Sequence, residues 1–287
     1  MAKVSYAGAA SAQEREFLKL FEGFTRSRSG WQAWEDLMTA MACSIANSVD
    51  RRKEAFERRE RQYETAIKNL GGVDVPAQML ALIASALEEN PNQDFLGKLY
   101  MSLNLGSHWT AQFFTPFSVS EMMARMTIGE ECLTQIKKDG YISVNDPTVG
   151  AGGMLIAAAT AFRALKVNYQ TSVLFTGQDI DPVVAKMAYI QISLLGCPGY
   201  ITVGNTLTNP QTGHALLPEE KDGLDIWYTP MFMRDVWDMR RSALLIRRML
   251  SGIGATKKKA EEKERYFVFF DFREQEDEGD GREDLTA

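Results

Sequence analysis

Long apolar runs are missing from this chain. It contains no stretch of about 18 consecutive apolar residues, which argues against a membrane-spanning helix. The opening residues, MAKVSYAGAASAQEREF, lack the apolar centre of a secretory signal. Histidine occurs only at His108 and His214, and cysteine only at Cys43, Cys132 and Cys197. Neither set has metal-ligand spacing, so no metal site is expected, and an odd number of scattered cysteines makes no disulfide framework. These absences together fit a cytoplasmic protein with no membrane role. Positive charge is also short: 32 Lys and Arg against 38 Asp and Glu leave a formal charge of −6. The chain as a whole is therefore no electrostatic glove for DNA, and any such contact has to come from a local basic face or a partner subunit.

What is present is an ordinary globular balance, 45% apolar and 24% charged over 287 residues, long enough for one or two domains with a full core. Three textures follow one another. The segments EREFLKLFEGF, WQAWEDLMTAMACSIANSV, DRRKEAFERRERQYETAIKNL and PAQMLALIASALEEN carry apolar residues at helical spacing, with Gly71-Gly72 as a helix stop. From about residue 110, strand-like runs alternate with helical ones. The strands are YISVNDP, TSVLFTGQDID, YITVGN, LDIWYTP and YFVFFDF; the helices include MLIAAATAFRALK, PVVAKMAYIQISLLG and MFMRDVWDMRRSALLIRRML. That alternation predicts a mostly parallel sheet with helices on both faces. The last stretch, REQEDEGDGREDLTA, is acidic and almost free of apolar groups, and is expected to be disordered. The expected organisation is an all-helical N-terminal domain over 1–108, an α/β domain over 109–272 and the acidic tail over 273–287.

The most informative segment is Asp146-Pro147-Thr148-Val149-Gly150-Ala151-Gly152-Gly153, between a strand and a helix. Its glycines permit a tight turn and a close backbone approach, and the helix after it presents free N–H groups and a positive dipole end. Asp146 at the strand end suits a cationic group. The next strand ends in Gln178-Asp179-Ile180-Asp181, where a carboxylate can accept hydrogen bonds from ribose hydroxyls. Two such strand ends suit a nucleoside carrying a zwitterion. The ordinary reading is a structural strand-to-helix turn, and the combination favours a ligand site.

These residues resemble the adenine-N6 DNA methyltransferases, specifically the modification (M) subunits of type I restriction-modification systems. Gln112-Phe113-Phe114-Thr115-Pro116 is similar to the family's QFFTP segment, Asp146 to Gly153 to its DPxxGxGG loop, and Gly177 to Pro182 to its GQEIDP segment. Gly204-Asn205-Thr206-Leu207 is similar to GDTL, with Asn205 where the family has Asp. The resemblance spans residues 112–207 and implies a Rossmann-like S-adenosylmethionine-dependent methyltransferase fold behind the helical domain. It implies donor contacts from Phe114, Thr115, Pro116, Asp146, Pro147, Thr148, Gly150, Gly152, Asp179, Ile180 and Asn205. The expected activity is site-specific, adenine-specific DNA methylation in a restriction-modification setting. The expected partners are DNA and a specificity or restriction subunit.

One expected piece is missing. The family carries Asn/Asp-Pro-Pro-aromatic after its fourth strand, where the polar side chain and the first Pro carbonyl accept the hydrogens of the adenine amine and the aromatic stacks on the flipped base. No such tetrapeptide occurs here. Taking Leu224–Tyr228 as the fourth strand, the nearest counterpart is Thr229-Pro230-Met231-Phe232, with Thr229, Pro230 and Phe232 as the catalytic candidates and Tyr228 in support. Asn209-Pro210-Gln211-Thr212 lies in a polar loop and lacks the aromatic. Three readings stand open: a divergent working site, an impaired site on a donor-binding scaffold that serves DNA or an active partner, or a misplaced fourth strand. A methyltransferase for RNA, protein or a small molecule fits the QFFTP segment less well. Arg234, Arg240, Arg241, Arg247 and Arg248 on the following helix read as a solvated face or as phosphate contacts, and Lys257 to Lys259 as a solvated loop.

Overall fold

A computed structural model of the chain describes residues 11–26, 28–105, 114–254 and 266–268. The front of the chain is helical: α1 (Ala12–Phe24), α2 (Gly30–Val49), α3 (Lys53–Leu70), α4 (Asp74–Glu89) and α5 (Phe95–Ser102). Local chemistry sets their ends. Ser11 accepts the Glu14 N–H while the Glu14 carboxylate accepts the Ser11 N–H, a reciprocal cap at α1. Ser29 caps α2, and Gly71 ends α3 in the left-handed conformation, as its position after the last apolar residue predicts.

Two further helices follow, α6 (Phe117–Thr127) and α7 (Glu130–Asp139), and then the alternating region begins. Its elements are β1 (Ile142–Asp146), α8 (Gly153–Ala164), the short α9 (Tyr169–Ser172), β2 (Val173–Asp179), α10 (Pro182–Leu194) and β3 (Gly199–Val203). A small hairpin, β4 (Gly213–His214) with β5 (Leu217–Pro218), precedes β6 (Asp225–Tyr228). A 3-10 turn over Pro230–Met233 leads into α11 (Asp235–Gly254), and β7 (Tyr266–Val268) is the last described strand.

The five strands stand in the order β6-β3-β2-β1-β7. β1, β2, β3 and β7 are parallel, and β6 runs antiparallel to β3 at the edge. Strand residues alternate between two cores, as the pleat requires. Val144, Phe175, Ile201 and Trp227 join the large core, which is continuous from Phe17 and Trp34 of the helical front through Tyr189 of α10. Leu174, Tyr200, Ile226 and Tyr228 point the other way, into a smaller core with Phe232 and Trp237. The helical front is thus a layer on one face of the sheet, reached through α10, which packs on α2.

That layer also seals the sheet edge. An edge strand leaves carbonyls without partners, and on β6 the Ile226 carbonyl accepts from both Arg52 and Arg59. Both guanidiniums also hold the Asp50 carboxylate, and Asp50 and Arg59 are fully buried. Their faces cover Tyr228 and Trp227. A buried pair of this kind is costly to break, because one partner is left charged without water.

Candidate functional site

Three strand ends converge on one side of the sheet. β1 delivers Asp146 beside Gly177 of β2, and β2 delivers Asp179 beside Val203 of β3. The turn after β1 is tied to both neighbours. The Val149 N–H donates to the Gln178 carbonyl at 2.9 Å, and the Thr206 hydroxyl donates to the Pro147 carbonyl at 2.6 Å. The Gly204 N–H donates to the Asp179 carbonyl at 2.8 Å. The Asp179 carboxylate accepts the Gly150 N–H at 2.8 Å and the Asp181 N–H at 2.9 Å. The glycine turn and the acidic strand end are therefore one structure, joined by a hydrogen bond.

Electrostatically the place concentrates negative charge in a buried setting. Asp146 is buried, and among the described residues its carboxylate accepts the Thr148 N–H at 3.0 Å. Burial, and after it the neighbouring Asp179 charge, push its carboxyl up to about 6 against the pull of that N–H. Burial also raises the Asp179 carboxyl, opposed by the N–H bonds it accepts. Two carboxylates kept close in a dry site favour a positively charged occupant.

The glycines divide their work. Gly150 has φ +52°, and a Cβ there would lie 3.3 Å from the Phe114 ring, so Phe114 sits on the turn. Gly152 has φ +94°, and its Cβ would meet the Ala188 Cα of α10 at 3.1 Å. The lack of a side chain at Gly152 is what lets α10 approach the turn. Thr115 and Pro116 are exposed beside Phe114, and Ile180 is exposed beyond Asp179. Asn205 turns inward on its own loop, its Oδ1 accepting the Leu207 N–H at 2.9 Å and the Thr208 N–H at 3.2 Å. Gln112 and Phe113, like His108, Lys257 to Lys259 and the acidic tail, lie outside the described residues.

Two residues that sequence reasoning passed over hold the turn from behind. Gln191 of α10 is fully buried; its amide donates to the Ala151 carbonyl at 2.8 Å and to Asp94 at 2.7 Å, and accepts the Leu96 N–H at 3.0 Å. Asp94 caps α5 through the Gly97 N–H at 2.8 Å, and burial raises its carboxyl. An Asp directly before the apolar run FLGKLY is a legible cap signal; nothing in the sequence marks Gln191.

The catalytic assignment of Thr229, Pro230 and Phe232 is overturned by strand direction. β6 is antiparallel, so its last residue, Tyr228, stands opposite Tyr200 at the start of β3. Thr229 is therefore at the amino end of the sheet. Gly199 is level with Phe175, four positions short of Asp179 on β2, or roughly 13 Å along the strands. The Thr229 hydroxyl is spent there, accepting the Gly199 N–H at 3.0 Å and donating to the Cys197 carbonyl at 2.8 Å. Phe232 is stacked on Tyr228 with centroids 5.4 Å apart, which is packing and no platform for a base. Pro230 opens the 3-10 turn between them and α11.

The arginines of α11 go with that end. Arg240 donates to the Thr171 and Gly140 carbonyls, and Arg241 to the Phe232 carbonyl. Helix α11 thus runs below the starts of the strands, and the phosphate-contact reading loses its base pocket. The place beside β1 belongs to β7, whose Val268 pairs with Asn145. Phe269-Phe270-Asp271-Phe272, which follow it, lie outside the described residues. The polar loop with Asn209 lies nearer the carboxyl end of the sheet, held by Gln178, whose amide donates to the Asn209 carbonyl and accepts the Gln211 N–H.

Comparison with known proteins gives three findings. A family model described as N-6 DNA Methylase matches residues 92–269. No curated protein sequence matches the chain. Among solved structures it is similar to the methyltransferase subunit of the type I restriction-modification system from Streptococcus thermophilus, at 14% identity and a TM-score of 0.37. That alignment covers 71% of this chain and 60% of the other, so the chain spans about 60% of that subunit's length. Among the described residues, no single helix is long and apolar enough to cross a membrane.

Proposed function

The chain belongs to the N-6 DNA methylase family, and from that premise we propose that it binds S-adenosylmethionine across the ends of β1, β2 and β3 and serves methylation of adenine N6 in DNA. The observation that carries this reading is the Gly150 N–H bonded to Asp179, with buried Asp146 beside it. The residues fit the donor's chemistry. Asp146 and Asp179 meet its positive charge, and Asp179 keeps lone pairs for ribose hydroxyls after accepting two N–H groups. Phe114, Thr115 and Pro116 lie on the side from which an adenosyl group would be covered, and Ile180 offers it an apolar face. Asn205 shapes the adenine side through its backbone turn. When bound, the donor supplies an electrophilic methyl on a sulfonium. DNA and a specificity or restriction subunit are the partners this reading assigns, in a cytoplasmic restriction-modification setting.

A second reading has its own support: the fold binds the donor and DNA, or an active partner, without transferring methyl. No Asn/Asp-Pro-Pro-aromatic segment occurs in the chain, and its nearest substitute is buried at the amino end of the sheet. Calorimetry with S-adenosylmethionine tests the donor site, and heatless titration removes both readings. Transfer of a labelled methyl to adenine-rich DNA then separates them. Transfer supports the enzyme, while binding without transfer supports the donor-binding subunit.

A further inference from the structure

A single short helix of the front region, α5, holds the glycine turn from two sides. Asp94, which caps it, accepts from the Gln191 amide, and the same amide donates to the Ala151 carbonyl inside the turn. Asp94 also stands against Gly153, where a Cβ would lie 3.5 Å from its carboxylate. Toward the other end of α5, Tyr100 packs on Phe114 with ring centroids 5.4 Å apart. Phe114 in turn rests on Gly150, where a Cβ would lie 3.3 Å from that ring.

The Tyr100 side is the one that meets solvent. Phe114 is half-buried, and Thr115 and Pro116 beside it are exposed, so the Phe114 ring marks the border between core and water above the turn. A ring at such a border keeps one orientation only if something rigid backs it. Tyr100 is 1% exposed and lies between Phe114 and Trp34 of α2, whose centroid is 6.0 Å from its own. Trp34 is held edge-on by Phe17 and Phe21 of α1 at 6.0 and 5.5 Å. Tilted and edge-to-face rings fix one another's orientation, and packing at core density passes a displacement along the row. Burial, and after it the Asp181 charge, raise the Tyr100 hydroxyl. Asp181 caps α10 directly beyond the acidic end of β2, so Tyr100 touches the helical front and lies within electrostatic reach of the strand end that bears Asp179.

We propose that Tyr100 is a positioning residue for the methyl donor, an assignment that rests on the donor reading above: acting through Phe114, it seats the ring that closes over the turn at Gly150. The helical front is thereby part of the binding site, although Tyr100 itself does not touch the donor.

Calorimetry with S-adenosylmethionine on the full chain tests it, at a temperature where circular dichroism shows each variant folded. Tyr100→Leu, which removes the ring, is expected to weaken binding roughly tenfold, and Tyr100→Phe, which keeps it, to restore affinity to within about twofold of the native chain. Phe114→Leu should lose as much as Tyr100→Leu, and the double variant no more than either, because both act through one ring contact. Phe162→Leu, a comparable core truncation at the far end of α8, should melt lower yet bind as the native chain does. Should Tyr100→Leu not fold, Tyr100→Met, which fills the space without a ring, takes its place. A native chain that gives no heat overturns the donor reading and this assignment together. Binding by the native chain that Tyr100→Leu leaves intact, losses that multiply in the double variant, or an equal loss in Phe162→Leu overturns the assignment alone.

Discussion

The two ends of the sheet hold the same kinds of residue and have opposite characters. At the carboxyl end, Asp146 is buried and bonded to the Thr148 N–H, Asp179 raises its charge cost, and Gly150 and Gly152 hold positive φ. At the amino end, Thr229 has both hydrogen bonds its hydroxyl can readily make, and Tyr200, Tyr228 and Phe232 pack ring on ring. One end holds two buried, raised carboxyls and the other closed hydrogen bonds and ring contacts. Strand direction decides which is which. A strand end followed by Pro and an aromatic can join the glycine turn only if the strand points toward it, and β6 points away.

The largest expected effect tests the carboxyl end. Gly152→Leu places a branched side chain on backbone at φ +94° and against the Ala188 Cα. The strain and overpacking together cost on the order of 4 kcal/mol. Thermal melting should show that loss, and donor binding should vanish with it. A variant as stable as the native chain would mean that α10 and the turn are not in contact. At the amino end, Thr229→Val strands the Gly199 N–H and the Cys197 carbonyl in a dry place, which costs about 2 to 4 kcal/mol. There the contrast sharpens: donor affinity measured below the melting range should be unchanged. A selective loss of affinity would return Thr229 to the site.

Much of this was legible in sequence, and the misses have identifiable causes. The helix at Gly153–Ala164, the strands around it and the stop at Gly71 follow from periodicity and capping, because those signals are local. The pairing of the glycine turn with Asp179 follows from the strand-end rule for parallel sheets. The place of Leu224–Tyr228 does not, since its apolar pattern is the same in either direction and at either edge. Only long-range contacts, such as Arg52 and Arg59 on the Ile226 carbonyl, fix it. Gln191 was invisible for a related reason: its three partners come from residues 94, 96 and 151, distant in sequence from it.

A smaller effect of opposite sign distinguishes the ends further. Asp146→Asn removes a buried charge while keeping an acceptor for the Thr148 N–H. The unliganded protein should gain about 1 to 3 kcal/mol at neutral pH, and its affinity for a cationic donor should drop at least roughly tenfold. Denaturant unfolding and calorimetry on the same samples check both halves. A destabilised variant with full affinity would show Asp146 to be a structural cap.

The mildest test changes only pH. Asp146 is raised from an ordinary Asp value near about 4 to about 6. A raised carboxyl binds its proton more tightly in the folded state. The stability it contributes is therefore fully present below about pH 4 and lost as pH rises through about 6. A cationic donor prefers the ionised carboxylate, so its affinity should move the other way. It should climb by up to about tenfold per pH unit below 6 and level off above. Asp179 and Asp94, also raised by burial, would add to the same trend, so the comparison that isolates Asp146 is the native chain against Asp146→Asn. The variant should lose most of the slope. Affinity that ignores pH in the native chain, or a slope that persists unchanged in the variant, would mean that the carboxyl end does not meet its ligand through this carboxylate.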